Sequence, residues 1–266
     1  MAFPELDLAG FTVGVTADQR RHEQAELFER AGARVLLGPV TSRTGGELRR
    51  WSLPADCGAA RRLITAACGG RLDALTFTSA AAVANMLSLA DSMGRRGDLV
   101  EAFGGAVVLA TLGPGTTATA QALGMGHAVE ACRPTLPCLA GAVAEVLGAR
   151  RLCLQAAGTN LVVQGSVVRV GGTTVELSER ERALLDALCR RAGAVVPRAT
   201  LVQDLWPENG ASPHTVDVTV ARLRRRLGPT GAAIRTVPRR GYWLDAVRGV
   251  GRQPAVQLAA VTGSRS

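Results

Sequence analysis

The sequence predicts two domains in series: a parallel sheet covered by helices, followed by a smaller α+β domain. Up to about residue 152, short apolar strands alternate with helical segments. After residue 166, a hairpin, three helices and a second hairpin follow one another. The charge divides near the same place, since residues 1–160 hold 15 arginines against 14 acidic residues and residues 161–266 hold 16 against 8. The 266 residues suffice for two cores of this size.

The composition limits the classes of function. The chain contains no lysine, and all 31 of its basic residues are arginine. The excess of arginine in the second part predicts a polyanionic partner for that part alone. The six cysteines form no CxxC pair and no zinc spacing with histidine, so we expect reduced, mostly buried thiols, no metal and no cofactor. The N-terminus lacks a signal pattern and apolar runs are short, which predicts a cytoplasmic protein without a membrane partner.

The front part, 1–152, is predicted to contain a parallel sheet with helices on both faces. About five strand–helix pairs fit a flavodoxin-like layout. We predict its strands at 11–15, 34–37, 74–78, 106–112 and 127–131. We predict its helices at 19–31, 57–68, 79–92, 115–123 and 137–147.

Ligands of such sheets bind at the carboxyl ends of the strands. The groups expected there are hydroxyls and backbone amides at helix N-termini, which can bind anions. They form a candidate ligand cleft of Thr16, Thr78, Ser79, Gly113, Thr116 and Thr117. Ordinary helix capping by Ser79 and Thr116 explains the same residues equally well, so both interpretations stay open. Neither a P-loop nor a GxGxxG motif is present.

The order of segments over residues 8–150 resembles the uroporphyrinogen-III synthase family. The matching features are LAGFTVGVTADQR, LFERAGARVLLGP, LDALTFTSAAAV and ATLGPGTTATAQALGM. That family has two lobes with the active site between them, whereas this chain has room for one lobe. The resemblance therefore implies a degenerate synthase-like domain that acts as an effector or dimerisation module, and no catalytic residue can be assigned.

A phosphate-accepting receiver domain is the other α/β domain that commonly precedes a DNA-binding domain. Receivers need an aspartate at the end of the central strand and a lysine after the last strand. Here the central strand ends in Thr78 and Ser79, and the chain has no lysine. Regulation by phosphorylation of this domain is therefore not expected.

The second part is predicted to form a small sheet, three helices and a hairpin. Gly171 and Gly172 separate two alternating strands, and Ser178 and Glu181 form a capping box. The stretch 212–241 is the most informative. Its apolar residues recur at i, i+4, i+7 and i+11, which predicts one buried helical stripe of Val216, Val220, Leu223 and Leu227.

This part resembles the OmpR/PhoB response-regulator output domains, which have a winged helix-turn-helix fold. The matching features are VELSERERALLDAL, VVPRATLVQDLW, TVDVTVARLRRRL and IRTVPRRGYWL. The resemblance implies a recognition helix in the major groove of DNA and a wing in the minor groove. It implies that Tyr242 packs within the wing. The DNA-binding residues that we predict are Val218, Thr219, Arg222, Arg224, Arg226, Arg239 and Arg240.

Both parts together are similar to actinobacterial regulators that fuse a synthase-like domain to a response-regulator output domain. We therefore expect a sequence-specific transcriptional regulator that binds double-stranded DNA in the nucleoid, responds to a tetrapyrrole-like effector and forms a homodimer. The alternative is a uroporphyrinogen-III synthase, a lyase that cyclises hydroxymethylbilane, with an appended DNA-binding domain. We place a linker at 153–165, the winged helix at 166–247 and a disordered tail at 248–266.

Overall fold

The computed structural model describes residues 6–17, 19–43, 51–206 and 212–249. It contains the two predicted domains, and most of the predicted tail, 250–266, lies outside the described residues. Among the helices in these ranges, none combines the length and apolarity needed to cross a membrane.

The front domain is built on a parallel sheet. Its strands, with a short separate hairpin of β3 and β4, are β1 (Thr12–Val15), β2 (Arg34–Leu37), β3 (Ser42–Arg43), β4 (Trp51–Ser52), β5 (Ala74–Phe77), β6 (Val108–Thr111) and β7 (Ala128–Glu130). Its helices are α1 (Arg21–Arg30), α2 (Gly58–Cys68), α3 (Ala80–Ser92), α4 (Arg96–Gly104), α5 (Pro114–Ala122) and α6 (Leu136–Ala149). The strand order β2-β1-β5-β6-β7, parallel at every pairing, confirms the flavodoxin-like layout.

Two apolar layers cover the sheet. Successive residues of β5 point to opposite faces, so Ala74 packs with α1 and α6 while Leu75 and Phe77 pack with α2 to α5. The helix α4 was not predicted from the sequence. It buries only Leu99 and Phe103, which is too few apolar residues for a clear helical period.

The back domain surrounds one apolar core with two antiparallel sheets and three α-helices. Its strands are β8 (Leu152–Ala156), β9 (Thr159–Gln164), β10 (Val167–Val170), β11 (Thr173–Glu176), β12 (Val196–Pro197), β13 (Ile234–Val237), β14 (Gly241–Leu244) and β15 (Ala246–Arg248). Its helices are α7 (Glu179–Arg190), α8 (Arg198–Leu205) and α9 (Pro213–Arg226). The sheets have the orders β11-β10-β9-β8-β15 and β12-β14-β13. This arrangement confirms the winged helix.

The linker predicted at 153–165 is wrong, because β8 and β9 occupy it as a hairpin. Its turn places Ala157 at φ 50° and Gly158 at φ 75°, and a left-handed alanine leaves no turn signal in the sequence. The tail predicted to begin at Arg248 is also wrong at its start. Arg248 belongs to β15, which pairs with β8 and completes the sheet.

The two domains meet through close backbone contacts. The carbonyl oxygen of Gly10 accepts a 2.7 Å hydrogen bond from the Ser166 amide, and a Cβ on Gly165 would collide with that carbonyl. The Gln164 amide group donates to the Ala9 carbonyl at 2.9 Å. The approach leaves no room for a side chain at position 165, so the loop before β1 is fixed against the end of β9.

A buried ion pair joins the domains beside this contact. The carboxylate of Asp73 is only 5% exposed and lies 2.5 Å from the guanidinium of Arg182 on α7. It also accepts a 2.7 Å hydrogen bond from the Thr12 amide at the start of β1. Asp73 therefore links the front sheet to the first helix of the back domain.

We predict that Asp73→Asn lowers the free energy of unfolding by about 2–4 kcal/mol, because it removes the closer of the two carboxylates that contact the largely buried Arg182 guanidinium and leaves only Asp186, at 3.7 Å. Urea denaturation followed by circular dichroism measures this loss. The matched control is Asp91→Asn, which breaks an exposed ion pair with Arg96 and should cost less than about 1 kcal/mol. Equal effects of the two substitutions would show that the interdomain pair contributes little.

Candidate nucleic-acid interface

The helix α9 is held by one apolar stripe. Val216, Val220, Leu223 and its C-cap Leu227 are buried in the core of the back domain, as the sequence predicts, and α9 packs against α7 and α8. Pro213 occupies the first turn, where its missing N–H costs no hydrogen bond. The packing fixes which face of α9 points outwards.

The outward face of α9 is a continuous stripe. Four of its exposed residues recur at i, i+4, i+8 and i+11, and they are His214, Val218, Arg222 and Arg225. Ala221 and Arg226 are exposed beside them. Val218 is one of few exposed large apolar side chains in the described part of the chain. His214 and Arg225 were not among the predicted contacts. Their spacing from Val218 could have identified them, because it places them on the same face.

Two predicted contact residues point elsewhere. Thr219 is buried, and its hydroxyl donates a 2.8 Å hydrogen bond to the Thr215 carbonyl one turn earlier. The guanidinium of Arg224 donates to the Ile234 carbonyl, with 3.0 Å from Nε, and to the Thr236 hydroxyl at 2.8 Å. In this structure both side chains bond within the domain, and their predicted contact with DNA stays a prediction.

Arg226 has an intermediate position at the end of α9. Its Nη1 donates to the Glu176 carbonyl at 3.0 Å, and its Nε lies 3.5 Å from the capping-box carboxylate of Glu181. The side chain is still 51% exposed. It therefore joins α9 to the start of α7 while leaving part of its guanidinium at the surface.

The hairpin of β13 and β14 forms the wing. Its turn exposes Arg239, which has φ 61°, and Arg240. The following residue must be glycine, since a Cβ on Gly241 would collide with the Val196 carbonyl of β12. Close packing at the base therefore positions a tip that carries two exposed arginines.

A hydrogen-bonded network ties α9 to α8 and the wing. The Tyr242 hydroxyl on β14 donates to the Asp217 carboxylate at 2.5 Å, and the Arg198 Nε donates to the same oxygen at 2.9 Å. The Arg198 guanidinium also lies 4.8 Å from the centre of the Tyr242 ring. Tyr242 is 4% exposed, as expected of a packing residue.

The network shifts the titration of its members. The hydrogen bond from Tyr242, followed by that from Arg198, lowers the pKa of Asp217. Burial, followed by the bond to Asp217, raises the pKa of Tyr242. The ionised carboxylate and the neutral phenol are thus the forms that hold α9 and the wing together.

In the front domain, the predicted ligand-cleft residues lie at the carboxyl edge of the sheet. Several of their hydroxyls already form hydrogen bonds within the domain. The Thr16 hydroxyl is buried and donates to the Thr76 carbonyl at 2.7 Å. Ser79 caps α3 by accepting a hydrogen bond from the Ala82 amide. Thr78 is partly exposed beside it. Capping therefore accounts for Ser79 and internal pairing for Thr16.

The second part of this edge is the start of α5. Gly113 is the N-cap, and Thr116 is buried in the first turn. The Thr117 hydroxyl lies 2.5 Å from the Glu130 carboxylate at the end of β7 and 2.7 Å from the Thr111 hydroxyl. Gly113, the exposed part of Thr78 and the adjoining backbone amides are the groups left for a ligand.

We predict that Tyr242→Phe raises the pKa of Asp217 towards 3.8, its ordinary value, and lowers the free energy of unfolding by about 1 kcal/mol at neutral pH. Because the folded-state pKa of Asp217 is depressed, this loss is full above about pH 4 and shrinks as the pH falls further. Carboxyl-carbon NMR titration and urea denaturation at several pH values measure both effects. An unchanged Asp217 titration would contradict the assigned hydrogen bond.

Comparison with known proteins finds one family match in each domain. Residues 172–244 match the family model "Transcriptional regulatory protein, C terminal", and residues 49–140 match "Uroporphyrinogen-III synthase HemD". The chain is 41% identical over 91 residues to the transcriptional regulatory protein CutR of Streptomyces coelicolor, covering 34% of this chain and 41% of CutR. It is 40% identical over 79 residues to the response regulator PmrA of Pseudomonas aeruginosa, covering 29% and 35%.

Solved structures include similar chains. The DNA-binding domain of CpxR from E. coli is 29% identical, with 35% of this chain and 94% of that chain covered and a TM-score of 0.31. The chain spans less than half the length of either curated relative. Both resemblances seen in the sequence are confirmed over these ranges: residues 172–244 are similar to the C-terminal domain of OmpR/PhoB-type transcriptional regulatory proteins, and residues 49–140 form a HemD-like region.

Proposed function

We propose that the protein is a transcriptional regulator that binds double-stranded DNA in a sequence-specific manner through α9 and the wing. The observation that supports this most is the outward stripe of α9, which combines Val218 with Arg222 and Arg225 beside a wing tip with two arginines. An exposed helix of this composition fits the major groove, where apolar groups contact thymine methyls and arginines contact guanine. If the arginines of α9 were only a solvated surface, there would be no reason for the wing to carry two further exposed arginines.

The structure supports different roles for the arginines of α9 and the wing: some are proposed to contact DNA, and others hold the domain together. Arg222 and Arg225 lie on the exposed face of α9, and Arg239 and Arg240 lie at the wing tip. These four are the proposed contacts with bases and phosphates. Arg226 is a proposed phosphate contact through its exposed part. Arg224 and Thr219 support the helix and hairpin that present the others.

We predict that Arg222→Ala and Arg240→Ala each weaken binding of the full-length protein to its operator by about 5–30-fold, since each removes a contact of about 1–2 kcal/mol. The operator is first isolated by capture of fragmented genomic DNA. Fluorescence anisotropy at several salt concentrations then measures the affinity. A phosphate contact should reduce the salt dependence by about one counterion per substitution.

The matched control is Arg61→Ala, which removes one exposed arginine from α2 in the front domain and alters the net charge equally. Its affinity should stay near that of the wild type. If Arg222→Ala and Arg240→Ala also bound like the wild type at physiological salt, the proposed DNA surface would be wrong.

For the front domain we propose an effector or dimerisation role in place of synthase activity. The match to the synthase family covers 49–140, which includes three of the five strands of the single-lobed sheet, β5, β6 and β7. The synthase cleft needs two facing lobes. Within the described residues, the candidate ligand groups lie at the carboxyl edge of one sheet. A tetrapyrrole-like effector is the ligand class that this family membership favours, and two copies of the chain could together supply facing lobes.

We predict that hydroxymethylbilane or uroporphyrinogen changes the operator affinity of the wild-type protein and that the protein does not accelerate formation of the type III isomer. Anisotropy with and without each tetrapyrrole measures the first effect, and chromatography of the product isomers measures the second. Analytical ultracentrifugation of the same samples reports dimerisation. Rapid formation of the type III isomer would instead support the enzyme alternative.

A further inference from the structure

The first turn of α9 exposes the one histidine of the back domain. His214 is the second residue of the helix, and the other two histidines of the chain, His22 and His127, lie in the front domain. The side chain of His214 is exposed and begins the outward stripe that continues at Val218 and Arg222. The proposed DNA-binding surface therefore includes one group that can change its charge near neutral pH.

The backbone of this turn is fixed, which sets the face of the helix on which His214 lies. Pro213 restricts the backbone just before it, and the Thr215 amide donates a 2.9 Å hydrogen bond to the Ser212 carbonyl. Val216, two residues further on, is fully buried in the core of the domain. His214 consequently lies on the face opposite to that core, at the end of the helix whose residues contact base edges in helix-turn-helix domains.

The charged groups around the start of α9 are on three elements. On α9 itself, Asp217 lies one turn beyond His214, and its carboxylate accepts hydrogen bonds from Tyr242 of β14 and Arg198 of α8. The bond from Tyr242, followed by that from Arg198, lowers the pKa of Asp217, and burial raises the pKa of Tyr242. Asp204 is an exposed carboxylate near the end of α8. Histidine is the side chain of this set that ordinarily changes its charge between about pH 6 and 8.

The helix α7 also packs against α9, and its charged side chains already have partners. Arg180 donates to the Leu205 carbonyl at the end of α8, and Glu181 contacts Arg226 in the last turn of α9. The opposite charge that the structure provides for an imidazolium in the first turn is therefore the carboxylate of Asp217.

The two charge states of an imidazole offer DNA different hydrogen-bonding groups. A neutral imidazole has one N–H donor and one acceptor nitrogen, whereas an imidazolium has two donors and a positive charge. Phosphate oxygens, and the N7 and O6 atoms of guanine, are acceptors only. The positive end of the helix dipole disfavours an imidazolium at the start of α9 in the free protein, but the phosphates of a bound duplex favour it. Protonation and DNA binding should therefore reinforce each other.

We propose that His214 contacts DNA as an imidazolium, so that the affinity of the protein for its operator increases as the pH falls from about 8 to about 6. This contact rests on the proposed function, because it requires α9 to lie in a groove of DNA. Binding takes up protons at His214. The added affinity is therefore complete below the titration range of histidine and is lost as the pH rises through that range. Val218 and Arg222 do not change charge there, so their contacts are independent of pH.

Fluorescence anisotropy of the full-length protein with the captured operator, at about pH 6, 7 and 8 and constant ionic strength, measures the effect. The affinity of the wild type should rise about fivefold from the highest to the lowest pH. His214→Gln keeps a donor and an acceptor without the charge, so its affinity should stay near the high-pH value of the wild type throughout. His214→Arg is permanently charged, and its affinity should match the low-pH value of the wild type throughout.

The matched control is His127→Gln, which removes an exposed histidine of the front domain and should leave the pH dependence of the wild type unchanged. Proton NMR gives a second measurement on the wild type. The imidazole signal of His214, assigned by its loss in His214→Gln, should titrate at higher pH in the operator complex than in the free protein.

The role of His214 is disproved if the wild-type affinity does not vary over this pH range, or if His214→Gln keeps the variation. It is also disproved if the imidazole titrates alike with and without the operator. If Arg222→Ala weakens binding at every pH while the wild-type affinity stays constant with pH, the proposed DNA surface stands and only the contact of His214 is wrong. A wild type that binds no genomic fragment would instead overturn both.

Discussion

The carboxylate of Asp73 is the group on which the arrangement of the two domains depends. A carboxylate this deeply buried is tolerated only when opposite charge and hydrogen bonds compensate for its lost hydration. One compensating group, the Thr12 amide, comes from the front sheet, and the other, the Arg182 guanidinium, comes from α7 of the back domain. Separation of the domains would expose the ion pair to water but would also remove the backbone contact of Gly10 with Ser166. The two contacts therefore reinforce each other.

The same ion pair lies on a packed route between the front sheet and the proposed DNA-binding helix α9. Asp73 begins the segment that enters β5, Arg182 lies on α7, and α7 packs against α9. An effector that alters DNA affinity must bind two arrangements of this route with different affinities, because a ligand with equal affinity for both shifts nothing. Two places on this route where such arrangements can differ are the Asp73–Arg182 contact and the packing of α7 on α9. The rest of the route is continuous β-structure and close-packed core, which resists gradual deformation.

Whether a hairpin could be predicted from the sequence depended on which residues form its turn. Gly171 and Gly172 supply positive φ values at a two-residue turn, and the hairpin predicted there was found. Ala157 adopts the same left-handed region although alanine is not typical of such a turn, so the composition predicts a linker where the structure has a hairpin. The capping box at Ser178 and the buried stripe of α9 were identified because each is a local pattern. Pairing of β15 with β8 depends on residues about ninety positions apart, which periodicity does not reveal.

For the candidate site, helical spacing predicted which face of α9 is buried and which is exposed, but not the partners of its side chains. Spacing identified the buried stripe of α9 and therefore its outward face, where Arg222 lies. It did not reveal that Arg224 would be occupied by the carbonyl oxygen of Ile234, because that partner belongs to the wing. In a chain without lysine, arginine must serve both as a phosphate contact and as a long hydrogen-bond donor inside the domain. The number of arginines on α9 therefore overstates the DNA-binding surface that we propose, because Arg224 already donates hydrogen bonds to a carbonyl of the wing.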